Sequence, residues 1–88
     1  MMKVKVAKVG TGLHPTEVVV SINTTEGEQH LVISDRSLDG NGFINVGYAI
    51  RQKGDDFLVE LPRETMSGSW RVWVNKNQIQ QENERQIA

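Results

Sequence analysis

Cysteine is absent from this 88-residue chain. No disulfide can brace the fold, and no thiolate can hold a metal. Proline is scarce, at two residues, and both sit in breaks between alternating apolar runs, at Pro15 and Pro62. No apolar stretch approaches the length of a membrane span. The opening Met2-Lys3-Val4-Lys5-Val6-Ala7-Lys8 alternates lysine with valine instead of leading into a signal-peptide core. These features predict a cytoplasmic protein with no membrane partner. An excess of charge is missing as well. The net value of −1 gives no global attraction to nucleic acid or anionic lipid.

A chain this short makes one domain. Folding buries only about 60–65% of the surface that the unfolded chain exposes, so stability rests on a small core. The dominant apolar period is two. Six strand-like runs follow from it, at residues 3–9, 17–23, 28–34, 43–51, 57–61 and 70–74. In the first, the alternation slips at residues 7–9, which predicts a bulge or a strand end. Gly47, inside the fourth, predicts a bend or a close backbone approach. The turn Thr24-Thr25-Glu26-Gly27 joins the second and third runs in a hairpin, and Gly54 centres another.

The expected fold is all-β: a small antiparallel six-stranded barrel or two-sheet sandwich over residues 1–75. Residues 76–88 form a polar C-terminal tail. Asn75 and Gln78 have the spacing of a helical capping box, but Ile79 and Ile87 are the tail's only large apolar residues. The tail is therefore expected to be part helical or disordered. The expected core is Val4, Val6, Val18, Val20, Ile22, Leu31, Ile33, Ile44, Val46, Phe57, Val59, Leu61, Trp70 and Val72. Tyr48 and Ile50 continue the face of Ile44 and Val46. On this reading Phe57→Ala costs about 3–5 kcal/mol.

Motifs for chemistry are few. Asp35-Arg36-Ser37-Leu38-Asp39-Gly40 has the oxygen spacing of half a calcium loop, but Val46 stands where a bidentate glutamate belongs. A polar turn is the better reading. His14 and His30 show no ligand spacing to each other. Gly10-Thr11-Gly12 lacks the third glycine of a dinucleotide loop and the lysine of a phosphate loop. Ser67 and Ser69 have no nucleophile motif around them. The loop at 62–69 reads as a plain connection with Met66 tucked in as a plug. No cofactor and no catalytic residue is expected, so the chain is read as not an enzyme.

What remains is a recognition surface. Trp70, Val72 and Val74 share one strand face, and Arg71 and Trp73 share the other. A tryptophan beside an arginine is a frequent protein-contact pair. The favoured function is a non-catalytic module that binds a protein partner or itself, through the Arg71/Trp73 face or a sheet edge. The alternative is weak nucleic-acid binding by Lys3, Lys5 and Lys8 with an exposed aromatic, and with Arg51 and Lys53 as further phosphate contacts if they gather on the same side. The candidate binding residues are Arg71, Trp73, Tyr48, Lys3, Lys5 and Lys8.

Overall fold

The computed structural model describes residues 2–81. Nine strands alternate with turns: β1 Met2–Lys5, β2 Ala7–Thr11, β3 Glu17–Thr24, β4 Gly27–Ser34, β5 Phe43–Gly47, β6 Arg51–Lys53, β7 Asp56–Glu60, β8 Arg71–Asn75 and β9 Ile79–Gln81. Short 3-10 turns cover Asp35–Ser37 and Lys76–Gln78. The strands form three antiparallel sheets, ordered β5-β1-β9, β2-β3-β4 and β6-β7-β8.

The all-β class is as expected, but the architecture is finer than six strands. Two of the long runs each divide. Val6 breaks the first, because its N–H bonds to Gly42 O at 2.9 Å and its side chain turns into the core. Residues before it join β5 and β9, and residues after it join β3. The slip at residues 7–9 is a register shift between Lys8 and Gly10, which leaves Val9 53% exposed. Gly47 divides the fourth run with a φ of 77°, a conformation that costs residues with a Cβ about 1–2 kcal/mol. Ile44 and Val46 are buried before that bend, whereas Tyr48 beyond it is 72% exposed and Ile50 44%. The three sheets do not close into a barrel by strand pairing among the described residues.

The β3–β4 hairpin is the longest ladder, running from Glu17↔Ser34 to Thr24↔Gly27. At its tip Gly27 takes a φ of 111°. Thr24 Oγ1 accepts from Glu26 N (3.1 Å) and donates to Gly27 O (2.7 Å), which closes the turn. Alternation then buries Val18, Val20, Ile22, Leu31 and Ile33 on one face. Met2, Val4, Ile44, Val46, Val59, Val72 and Val74 from the other two sheets, with Val6 between β1 and β2 and Leu61 after β7, complete a single core.

Two expected core residues are corrected. Trp70 is 51% exposed, because it lies before β8 and past the last core-facing pair, although its O still accepts from Leu61 N at 2.8 Å. Val74, fully buried, fills the interior instead. Phe57 is half-buried and packs against the rim of the core.

The segment after β8 also differs from expectation. Asn75 Oδ1 accepts from Asn77 N (2.9 Å) and caps a 3-10 turn rather than an α-helix. Gln78 does not complete a capping box; its Nε2 donates to Asn23 O at 2.8 Å. Ile79 then pairs with Val4 and packs on the core, so β9 belongs to the sheet rather than to a tail. The expectation for residues 82–88 lies outside the described residues. No helix among the described residues is long and apolar enough to cross a membrane.

Candidate functional site

The sheet β6-β7-β8 turns Phe57, Val59, Val72 and Val74 inward. Its outer face therefore carries Leu58, Glu60, Arg71 and Trp73. Cross-strand register lines up Arg51, Leu58 and Trp73 in one row and Glu60 with Arg71 in the next. Trp73 and Leu58 are half-buried, with the exposed Arg51 beside them.

The tip of the β3–β4 hairpin stands over the β8 edge, held by Thr25 N–H to Trp73 O at 3.0 Å. Its approach creates two adjoining crevices, both lined by Thr25 and Trp73. One, of about 150 Å³, adds Glu26, Gln29, Leu58, Ser69 and Arg71. The other, an open groove of about 550 Å³, adds Lys53, Gly54, Asp55 and Asp56. The indole thus sits between two recesses.

Charges around it are balanced and unequally engaged. Arg71 Nε lies 3.9 Å from Glu60, and Lys76 Nζ lies 3.6 Å from Asp55. Asn75 Nδ2 donates to Asp56 Oδ1 at 3.5 Å. Arg51 and Lys53 form no ion pair among the described residues. They are exposed cations beside the half-buried Leu58 and Trp73.

The other expected binding residues lie elsewhere. Lys3 Nζ is 3.3 Å from Asp39 Oδ2. Lys5 lies over the Phe43 ring at 5.1 Å and donates to Asn41 O at 3.3 Å. Both fasten the loop before β5. Lys8 is on exposed β2, and Tyr48 lies in the bend after β5. Of the candidate set, Arg71 and Trp73 share a crevice. Arg51 and Lys53, expected as phosphate contacts of the nucleic-acid alternative, stand beside this face, whereas Leu58 and Thr25 were not expected in a site. Leu58 was legible as the outward residue between Phe57 and Val59. The approach of Thr25 depends on tertiary packing and left no local signal.

Other polar clusters centre on residues outside these two crevices. Asp39 Oδ1 accepts from the N–H groups of Asn41 (2.9 Å) and Phe43 (3.0 Å), and its N–H donates to Phe43 O (3.0 Å). The Phe43 N–H above all, then Asn41 and Lys3, hold this carboxyl below its ordinary pKa. The half-motif for calcium is therefore a loop closed by its own aspartate.

Glu28 accepts from Ser21 Oγ and lies 3.4 Å from His30 Nε2. The Ser21 hydroxyl and then His30 lower its pKa. A nucleophilic serine needs the imidazole next to it, whereas here the carboxylate is the group between. In the 62–69 loop, Thr65 is the buried plug, accepting from Ser69 N at 3.0 Å, whereas Met66 is 63% exposed. Thr65 Oγ1 meets the Ser69 N–H and the Ser67 hydroxyl, partners that a thioether engages only weakly. Met66 N–H instead reaches His30 O at 2.8 Å. Among the described residues no group of three or more His, Asp or Glu side chains is placed to hold a metal ion.

No family model, curated protein or solved structure matches the chain.

Proposed function

We propose that this protein is a non-catalytic β module that binds another protein through the outer face of β6-β7-β8, with Trp73 as the central contact. One observation carries the reading: a half-buried indole on the outside of a sheet, between two crevices and beside the unpaired cations Arg51 and Lys53. Tryptophan and arginine are the residues that most often dominate protein interfaces, and they do so from pockets that can be fully dried. The indole is already partly fixed by its neighbours, so little side-chain freedom is lost on binding.

Nucleic-acid binding is less well supported. Lys3 and Lys5 are engaged with Asp39, Asn41 and Phe43, and they share no crevice with Trp73. The test is capture of partners from lysate of the source organism, with and without nuclease. Wild type is compared with Trp73→Ala and with the triple variant Lys3→Ala, Lys5→Ala, Lys8→Ala. The proposal expects a protein that survives nuclease and elevated salt, is lost with Trp73→Ala and is kept by the triple variant. Recovery that depends on nucleic acid and on the three lysines would replace it with the alternative.

A further inference from the structure

An unpaired sheet edge is a template for another strand, and proteins block such edges with charge, bulges, proline or covering loops. Five of the six edges among the described residues are blocked in this way. β2 carries the irregularity at Val9 and the charge of Lys8. β4 is covered where Met66 N–H bonds to His30 O at 2.8 Å. β5 lies alongside β7, and Asp39 N–H closes on Phe43 O at 3.0 Å. β6 presents Arg51 and Lys53. β8 is met by the hairpin tip, through Thr25 N–H to Trp73 O. β9, Ile79-Gln80-Gln81, has no charge, no proline and no register shift against β1. Among the described residues no backbone bond covers its outer side.

We propose that β9 pairs with β9 of a second copy of this chain, antiparallel about a two-fold axis with Gln80 facing its own counterpart. This register uses all three residues of each strand and joins two sheets into one of the order β5-β1-β9-β9-β1-β5. The occupant follows from charge. Two-fold pairing sets each residue against a near-identical neighbourhood, so a charged edge such as β6 repels its own copy and the neutral β9 does not. Gln80 also carries a donor and an acceptor, so two facing amides satisfy each other. Three residues a side cover far less than the roughly 1,200 Å² of a stable interface, so the dimer is a weak one. The proposal does not depend on the Trp73 face.

The geometry supplies a selective variant. Within its own sheet Gln80 stands opposite Lys3. A carboxylate at 80 therefore faces an ammonium at home and a second carboxylate across the two-fold. Sedimentation velocity on the full chain, up to about 1 mM, reads the result. Wild type should shift toward dimer with concentration, and Gln80→Glu should weaken that association on the order of tenfold or more at pH 7. Equimolar mixing of Gln80→Glu with Gln80→Arg should restore it, and Trp73→Ala should leave it unchanged. A wild type that stays monomeric throughout overturns the proposal. So does a dimer that Gln80→Glu does not weaken, or one that Trp73→Ala abolishes.

Discussion

Leu31 and Leu13 are the same residue type in opposite settings, and the account assigns them opposite energetics. Leu31 is fully buried on β4, opposite Val20, which is fully buried too. Leu13 is 96% exposed between β2 and β3. Leu31→Ala removes three carbons, worth about 0.8 kcal/mol each in transfer from water. The neighbouring valines and isoleucines are held in three sheets and cannot collapse fully into the space, which adds a cavity cost. The total is about 3–4 kcal/mol. A domain of this size has roughly 4–13 kcal/mol of stability in all, so the variant should sit near the edge of folding. Leu13→Ala should change stability by less than about 0.5 kcal/mol. Urea unfolding followed by far-UV circular dichroism measures both, with the slope checked for a common two-state transition. A loss below about 1 kcal/mol at Leu31, or a comparable loss at Leu13, would refute the packing described above.

Other expectations rest on different features. Gly47→Ala meets no atom within 4 Å of the new Cβ, so its cost is backbone strain alone at a φ of 77°. That should be about 1–2 kcal/mol in thermal or urea melts, and a neutral result would count against the bend. Phe57→Ala should cost about 1.5–3 kcal/mol, less than a fully buried phenylalanine, because Phe57 is only half-buried. In single-tryptophan proteins, acrylamide should quench Trp70 more strongly than Trp73, which Trp73→Phe and Trp70→Phe variants separate by fluorescence; the reverse order would contradict their placement. Glu28 and Asp39 have folded pKa values below 4.5 and 3.8, their ordinary values. The folded state therefore binds fewer protons than the unfolded state in that range. The stability these groups contribute is present above their ordinary values and is lost as pH falls through the lowered folded ones. The melting temperature should fall below about pH 4.5, and Asp39→Asn should flatten part of that fall.

The period-two pattern made the strand content and most of the core legible, because alternation is a local signal. The β3–β4 hairpin was readable down to Gly27. Trp70 misled because period two continues its face with Val72, while the strand boundary that exposes it is set by where β7 stops. The continuation of the Ile44 and Val46 face to Tyr48 and Ile50 failed for a related reason: Gly47 marked a bend, but its direction depends on the turn geometry. β9 was unreadable as a strand, because Gln80 and Gln81 carry no strand preference and their pairing with β1 is a contact between segments far apart in sequence. Within the candidate site, Arg71 and Trp73 were paired correctly by alternation alone. The crevices beside them arise from the hairpin tip, nearly fifty residues away along the chain.

The central claim is that Trp73 marks a protein-binding face. A photo-crosslinking residue at Thr25, on the rim of both crevices, tests it most directly when compared with the same residue at Lys8 on β2. The account predicts protein adducts from position 25 that withstand nuclease and disappear when Trp73→Ala is added. Adducts formed only from position 8, or unchanged by Trp73→Ala, would contradict it.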